Sequence, residues 1–317
     1  MKSFLSSSLG VLLGTAAISL MLILGLTVDL SQVQIHMALD SYPLHPAENS
    51  RLVVSLSTFS RRVPSSLLTV QSIIKSGKYE RLIISIPLIH RNGISSRKEA
   101  DLSVDSVLAL FSGSLGAFKP VPGKTLAFFN PKHAILMQFL NEDFGPATKL
   151  IGALLVEKEP STIILTVDDD IVYSPSLLPF VRSNAPYEAA FSAVCQVIKP
   201  PGNSYLSVHD GAAGARWLWR IEPKYCPGWL VGWAGVAYRV GFFSSDLFTM
   251  ARNLSRDCFL NDDVWLSGYL HAKGISRVVF PTLPGGKHFR HPTLSLSVIP
   301  DAQTELMIHC AHSMGFK

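Results

Sequence analysis

Residues 163–170 of this 317-residue chain have the sequence Ile-Ile-Leu-Thr-Val-Asp-Asp-Asp. A short apolar run that is rich in β-branched residues predicts a buried strand of a parallel sheet, and ligands bind beyond the carboxyl ends of such strands. The triplet Asp168, Asp169 and Asp170 follows that end directly. Crowded carboxylates repel one another unless a cation lies among them, and their hard oxygens suit Mg²⁺ or Mn²⁺. The alternative is a solvated acidic turn.

The composition indicates a globular protein with a substantial core, because 48% of the residues are hydrophobic. Lysine and arginine number 28 against 23 acidic residues, which gives a formal net charge of +5. These charges are spread along the chain without a basic run, so we expect no nucleic-acid partner.

The N-terminal region is typical of a membrane anchor. Residues 9–28 carry no charged side chain, and a helix of about 20 apolar residues spans a bilayer. A cleaved signal peptide is the alternative, although its apolar core is usually only about 7 to 15 residues long and no convincing cleavage site follows here. Lys2 on the short side favours a cytosolic N-terminus. We therefore predict a cytosolic tail (1–8), a signal-anchor (9–28), a stem (29–50) and a lumenal folded domain (51–317).

A lumenal location is an oxidising one, in which cysteines form disulfides. The four cysteines allow two disulfides in three possible pairings: Cys195, Cys226, Cys258 and Cys310. The sequence Asn253-Leu254-Ser255 is a potential N-glycosylation site.

The folded part is predicted to open with strand, helix and strand. Residues 52–56 and 82–86 are apolar strands, and the helix between them begins near Ser65 and ends at Gly77. Such a unit implies parallel pairing through a right-handed crossover. Residues 90–123 are predicted to be mostly loop with a helix at 104–111, and a further helix at 147–157 precedes the acid-tipped strand.

A second acidic pair, Asp262 and Asp263, precedes a predicted helix that ends at Gly274. Asn261 is a preferred N-cap, and acids in the first helical turn are stabilised by the helix dipole. The pair therefore either stabilises the helix start or supplies a general base to an incoming hydroxyl.

Together, the order and spacing of these segments resemble a glycosyltransferase of the GT-A type over about residues 51–291. The resemblance implies a single α/β domain with a mixed, mainly parallel sheet that has helices on both faces. It implies a nucleotide diphosphate sugar donor and Mn²⁺ or Mg²⁺ at an Asp-x-Asp motif. By this resemblance Asp168 contacts the ribose or sugar and also lies near the metal, Asp170 ligates the metal, and Asp169 supports one of them.

The resemblance extends to three later elements. The glycine-rich loop that shapes the donor and acceptor cleft is similar to residues 232–235, which include Gly232, Trp233 and Gly235. The acid pair at a helix start, whose acid is the base in many inverting members, is similar to Asp262 and Asp263, although many relatives carry Glu-Asp. The late histidine, often a metal or phosphate ligand, corresponds to His288 or His291. Inverting and retaining enzymes share this scaffold, so the stereochemistry stays open.

Four further residues complete the expected donor site. Residues 143–149 resemble a motif of glycosyltransferases of this sort, in which Lys149 would meet phosphate or sugar; the alternative is a solvated helix charge. The turn-rich segment where the fold usually receives the nucleotide base contains Ser57, Thr58 and Arg62. Four tryptophans are predicted either to line a sugar-stacking cleft wall or to pack in the core: Trp217, Trp219, Trp229 and Trp233.

The anchor and stem resemble those of Golgi glycosyltransferases, which implies a single-pass type II protein of the Golgi or ER membrane. The acceptor would be a glycan, glycoprotein or glycolipid. Two other classes of protein remain as alternatives. A metal-dependent phosphoesterase would need further His or Asp ligands, and residues 172–208 contain none. The other alternative is a non-catalytic lumenal carbohydrate-binding protein.

Overall fold

The structure is a computed structural model that describes residues 50–59, 62–88, 103–186, 188–199, 204–208, 223–280, 286–288 and 300–316. All of these residues belong to one compact unit that spans residues 40–317. The predicted tail and anchor, and all of the predicted stem but Ser50, lie outside the described residues. Among the residues that are described, no helix is long and apolar enough to cross a membrane.

Fifteen strands occur in the described part of the chain. They are β1 (Leu52–Ser57), β2 (Arg81–Pro87), β3 (Lys119–Pro120), β4 (Ala127–Asn130), β5 (Ile135–Leu140), β6 (Ile163–Thr166), β7 (Ile171–Tyr173), β8 (Ala189–Ser192), β9 (Cys195–Lys199), β10 (Ser204–Val208), β11 (Lys224–Tyr225), β12 (Trp229–Leu230), β13 (Val236–Arg239), β14 (Ser276–Val279) and β15 (Gly286–His288).

Eight α-helices accompany them within the same described ranges. They are α1 (Val63–Lys75), α2 (Val104–Leu115), α3 (Thr148–Val156), α4 (Leu177–Asn184), α5 (Asp246–Arg252), α6 (Arg256–Phe259), α7 (Asp262–Ala272) and α8 (Pro300–Ser313). Short 3₁₀ turns lie at Gly145–Ala147, Gly232–Ala234 and Val240–Phe242.

Ten strands form the central sheet in the order β11-β14-β8-β13-β6-β1-β2-β5-β4-β3. The four middle strands β6, β1, β2 and β5 are parallel to one another. Over the whole sheet, seven of the ten strands run in one direction, and β4, β11 and β13 run in the opposite direction. The predicted mixed, mainly parallel sheet in a single α/β domain is confirmed.

The middle strands are buried because helices cover both faces of the sheet. Leu52, Val53, Ile83, Ile84 and Ile164 are all fully inaccessible to solvent. Helix α1 lies between β1 and β2 in the chain and α2 lies between β2 and β5, and these two helices contact each other. Helix α3 lies between β5 and β6 in the chain and packs on β1 and β2. The first two connections move across the sheet from β1 towards β5, and the third moves back from β5 to β6. Because parallel crossovers are right-handed, connections that move in opposite directions place their helices on opposite faces of the sheet.

Two small sheets flank the central one. Strands β10, β9 and β12 form an antiparallel sheet, and β15 pairs antiparallel with β7, directly after the acidic triplet. Disulfides join Cys195 to Cys226 and Cys258 to Cys310. The structure thus selects one of the three pairings that the sequence left open.

The predicted opening unit is confirmed with small shifts in its bounds, and the helix predicted at 104–111 continues to Leu115. The prediction that Asn261 is the N-cap of α7 is confirmed in position. Asn261 occupies the N-cap position, but its side chain makes no capping bond and donates instead to the Asp257 carbonyl at 2.7 Å. Sequence analysis assigned nothing to β4 and β5, although β5 extends the parallel core.

Close contact between α3 and β2 depends on Gly152. A Cβ atom added there would lie 2.0 Å from Ser85 Oγ and 2.8 Å from Ser85 Cβ. The Gln138 side chain fixes this contact, because its Nε2 donates to both Ser85 Oγ at 2.9 Å and the Gly152 carbonyl at 2.8 Å.

We expect Gly152→Ala to destabilise the fold, because the added methyl group has no space. Overpacking of this kind lowers the free energy of unfolding by about 1–3 kcal/mol. The matched control is Gly113→Ala in α2, where nothing lies within 4 Å of the added atom. That change should stabilise by up to about 1 kcal/mol through helix propensity. Urea unfolding of both variants tests this, and equal effects would contradict the packing argument.

Candidate functional site

The carboxyl ends of the middle strands bring the candidate residues together. Ser57 ends β1 and Thr58 follows it, while the acidic triplet follows the neighbouring strand β6. Strand β13 runs antiparallel to β6 with Val236 opposite Thr166. The residues just before β13, Gly232–Ala234 and Gly235, therefore reach the same edge of the sheet. Gly235 has a φ of +83°, a conformation that favours glycine.

Tyr173 connects the acidic triplet to the glycine-rich loop. The backbone N–H of Asp168 donates to the Tyr173 hydroxyl at 2.9 Å, and that hydroxyl donates to the Trp233 carbonyl at 3.2 Å. Tyr173 is 2% exposed, and burial raises its pKa well above the ordinary value. Sequence analysis missed this residue, because an aromatic in an apolar strand is the usual pattern of a core residue.

The start of α7 carries the second acidic pair into the same site. The Gly232 N–H donates to Asp263 Oδ2 at 2.8 Å. A Cβ atom on Gly232 would lie 2.7 Å from Asp263 Oδ1, so a larger residue here would displace the Asp263 carboxylate. Asp262 is 6% exposed, whereas Asp263 is only partly buried.

Lys149 lies between the two acidic groups. Its Nζ is 2.7 Å from Asp168 Oδ1 and 3.1 Å from Asp262 Oδ2, and the residue is 5% exposed. Burial opposes its charged form, but the carboxylates of Asp168, Asp262 and Asp263 raise the pKa of Lys149 well above the usual value. Lys149 is therefore a buried ammonium whose contacts are carboxylates, and the alternative of a solvated helix charge is wrong.

The segment before Lys149 explains how the lysine reaches this position. Gly145 has a φ of +62°, and a Cβ atom there would lie 2.7 Å from the Phe259 carbonyl oxygen at the end of α6. Thr148 Oγ1 accepts from the Phe144 N–H at 3.1 Å, which fixes the start of α3. Because α6 leads directly into α7, this contact holds Lys149 beside Asp262.

The acids of α7 have raised pKa values. Burial raises the pKa of Asp262, and burial together with the neighbouring Asp262 carboxylate raises the pKa of Asp263 well above its usual value. Lys149 opposes both shifts. A carboxylate is a more effective general base when its pKa lies closer to the working pH.

Arg62 neutralises the other side of the triplet. Its Nη2 is 2.7 Å from Asp169 Oδ1 and 2.8 Å from Asp170 Oδ2, and its guanidinium carbon lies 5.6 Å from the centroid of the Phe59 ring. Burial raises the pKa of Asp169 to about 7, although the Arg62 charge and the Thr58 hydroxyl counteract this rise.

The donor atoms of the triplet fit a hard divalent cation. The side chains of Asp168 and Asp170 are 29% and 35% exposed, so their oxygens are accessible to a ligand. Mg²⁺ and Mn²⁺ are commonly held by one or two carboxylates, with water and substrate phosphates as the remaining ligands. No group of three or more potential metal-ligating side chains occurs within the described ranges of the chain.

The late histidines are only partly placed. His288 lies in β15 opposite Ile171, which directly follows the triplet, so its backbone is adjacent to the site. Its side chain and the whole of His291 lie outside what the structure describes. His288 as a metal ligand therefore stays a prediction.

The two predicted cleft tryptophans that the structure describes differ in burial. Trp229 is fully buried, its Nε1 donates to Gln196 Oε1 at 2.9 Å, and its ring packs on Phe316 with centroids 5.8 Å apart. It is a core residue. Trp233 is partly exposed in the glycine-rich loop, while Trp217 and Trp219 lie outside the described residues.

No protein-family model matches this chain, and no curated protein sequence matches it significantly. Several solved structures resemble it weakly. A 4-diphosphocytidyl-2C-methyl-D-erythritol synthase from Anaerococcus prevotii DSM 20548 has a TM-score of 0.38 and 9% identity, covering 84% of this chain and 96% of that one. A UDP-glucose pyrophosphorylase complexed with UDP-glucose has a TM-score of 0.36 and 11% identity, covering 83% and 97%. A galactosyltransferase, LgtC, in complex with donor and acceptor sugar analogs has a TM-score of 0.34 and 10% identity, covering 67% and 64%. Likenesses this weak assign no function to the chain.

We expect Lys149→Met to be strongly destabilising, because it leaves buried carboxylates without their cation. Breaking a buried ion pair in this way costs about 3–5 kcal/mol of unfolding free energy at neutral pH. The pKa values of Asp262 and Asp263 should rise further, so the folded chain binds more protons than the unfolded chain above the ordinary aspartate pKa. The stability of the variant should therefore fall as pH increases, with the loss smallest in acid.

Urea unfolding of the variant and the wild type between about pH 5 and about pH 8 measures this dependence. The control is Lys273→Met, which removes an exposed ion pair with Asp246 and should change stability little at either pH. A loss in Lys149→Met that does not depend on pH would contradict the electrostatic role of Lys149.

Proposed function

We propose that this chain is a GT-A type glycosyltransferase that uses a nucleotide diphosphate sugar and Mn²⁺ or Mg²⁺. One observation carries the proposal. The accessible acids at the carboxyl end of β6 are joined through Lys149 to a second acidic pair at the start of α7, across the glycine-rich loop. This places oxygen ligands for a cation and a separate carboxylate pair with raised pKa values at one edge of the sheet.

The donor side consists of the triplet and the end of β1. Asp170 would ligate the metal and Asp168 would hold the ribose or donor sugar, because both are partly exposed while Asp169 is buried. When bound, a divalent cation supplies positive charge that stabilises a diphosphate leaving group. Ser57, the last residue of β1, and Thr58 after it lie at the same edge, where they would contact the nucleotide base.

The acceptor side centres on Asp263. Asp262 is the more deeply buried of the pair and contacts Lys149, so it serves to position its neighbour. Asp263 is more exposed and its orientation is fixed by the Gly232 N–H. In an inverting reaction Asp263 would accept the proton of the acceptor hydroxyl. The acceptor would be a glycan, glycoprotein or glycolipid.

The alternatives gain no support from specific contacts. A sugar-binding surface built on the tryptophans would not include Trp229, which packs in the core. A two-metal phosphoesterase needs several converging ligands. The exposed carboxylates of the triplet provide at most two, and Lys149 holds one of them.

We expect Asp170→Asn to lose metal-dependent donor binding, because the amide removes the charge that a divalent cation needs. Calorimetry with a panel of nucleotide sugars, with and without Mn²⁺, measures this binding. Hydrolysis or transfer of the best donor should fall by about 100-fold or more, which is the effect of removing one strong electrostatic contact to a developing charge.

The matched comparison is Asp263→Asn, which should retain Mn²⁺-dependent donor binding and lose sugar transfer. This pattern would separate the donor acids from the acceptor acid. Donor binding that persists in Asp170→Asn and in the presence of a chelator would show that the metal assignment is wrong. No binding of any nucleotide sugar to the wild type would overturn the proposed function.

We further propose that the folded domain matures in the secretory lumen, behind a type II anchor at residues 9–28 in the Golgi or ER membrane. Two disulfides support an oxidising compartment, because such bonds are rare in the cytosol. The sequon asparagine, Asn253, is exposed after α5, where an attached glycan would have space.

Expression of the full chain in a eukaryotic cell should yield a species whose mobility changes on treatment with an N-glycan-cleaving enzyme. Asn253→Gln should abolish this change, because Asn253 is the acceptor. The control Ser255→Thr keeps both the sequon and the hydroxyl that caps α6 by accepting from Cys258 N–H, so it should remain modified. An unmodified wild-type chain would contradict lumenal exposure of Asn253.

A further inference from the structure

Arg62 lies on the acidic triplet and forms ion pairs with two of its carboxylates. One nitrogen, Nη2, contacts both Asp169 and Asp170 within 2.8 Å, and the Arg62 side chain is 12% exposed. Arg62 is thus a largely buried cation on the proposed metal ligand Asp170, and not a side chain extended toward a nucleotide base.

This arrangement leaves the guanidinium incompletely satisfied. The Nε of Arg62 is buried and has no hydrogen-bond partner among the described residues. A buried donor without an acceptor costs about 1–3 kcal/mol, so an acceptor brought by a ligand would relieve a real penalty. Phosphate oxygens are suitable acceptors, because a guanidinium binds them through paired N–H groups.

The charges around the site favour replacement of Arg62 by a metal ion at Asp170. Five carboxylates surround the site. Among the side chains that the structure describes, Lys149 and Arg62 form ion pairs with four of them. Lys149 is held between Asp168 and Asp262, deeper in the protein. A divalent cation on the Asp170 carboxylate would lie close to Arg62 Nη2, and the two positive charges would repel. The metal and Arg62 therefore compete for Asp170.

We propose that Arg62 is the built-in counter-ion of Asp170, and that a divalent cation displaces it from this carboxylate. The displaced guanidinium of Arg62 then binds the donor diphosphate. This inference rests on the proposed function, because it takes Asp170 as the metal ligand. It makes the binding of metal and diphosphate mutually dependent. Metal alone must compete with Arg62, whereas metal with a diphosphate gives the released guanidinium a new partner.

The test measures binding without any reaction. Mn²⁺ is titrated into the wild type and Arg62→Gln, alone and with a fixed concentration of inorganic pyrophosphate, and each affinity is calculated from the concentration of free Mn²⁺. For Mn²⁺ alone we expect binding about tenfold tighter in Arg62→Gln, and we expect pyrophosphate to tighten Mn²⁺ binding about tenfold in the wild type but little in the variant.

Three further variants make the result interpretable. Arg62→Lys keeps the charge, so its affinity for Mn²⁺ alone should stay near that of the wild type, and it also serves if Arg62→Gln does not fold. Arg252→Gln removes an exposed arginine that pairs with Glu142, and it should change neither affinity. Asp170→Asn should lose Mn²⁺ binding in all conditions.

The outcomes separate this inference from the proposed function. Mn²⁺ binding that depends on Asp170 but is unchanged or weaker in Arg62→Gln would overturn the counter-ion role and leave the metal site standing. Binding to Arg62→Gln but not to the wild type would support the inference, because Arg62 then blocks the site. No Mn²⁺ binding to the wild type, Arg62→Gln or Arg62→Lys would overturn both.

Discussion

The buried ammonium of Lys149 is the interaction on which the site depends. It contacts Asp168 at the end of β6 and Asp262 at the start of α7, two elements that are far apart in the sequence. Without a cation between them, the two carboxylates would repel one another. The buried Asp262 would also have lost hydration without a compensating partner, which is costly in a protein interior. The Gly145 turn places the lysine there by letting the start of α3 approach the Phe259 carbonyl closely. One charge therefore fixes the spacing between the proposed donor and acceptor sides.

The direction of one strand makes the rest of the site possible. Because β13 runs antiparallel to β6, the residues that precede it arrive at the edge where the acidic triplet lies. Gly232 then allows the loop backbone to donate to Asp263, and Tyr173 bonds the same loop to the triplet. The acids of α7 and the triplet are thus connected by a hydrogen-bonded loop as well as by Lys149. Short polar contacts therefore link the triplet to Asp263.

The two cations divide the acids into groups with different properties. Lys149 lies beneath the site with partners that keep it charged, whereas Arg62 lies on the triplet with one donor unmatched. A permanent cation of the first kind holds the architecture, and a replaceable cation of the second kind suits a ligand that brings its own positive charge. Under the proposed exchange, five carboxylates can share one edge of the sheet while Asp170 can still pass from Arg62 to a metal.

The sequence by itself determined the main strands and helices of this protein and the places where they end. The apolar runs at β1, β2 and β6 have the pattern of buried parallel strands, and Gly274, with its φ of +71°, ends α7 as the sequence predicted. The acids could be recognised for the same reason, because they follow directly from a strand end and a helix start. The tertiary structure alone decided the partners. From the sequence, Lys149 and Arg62 could not be assigned to carboxylates, and the cysteines could not be assigned to disulfides, because these pairings join residues that are distant in sequence. The pairings depend on the strand order, on the antiparallel direction of β13 and on the close approaches at Gly145 and Gly232.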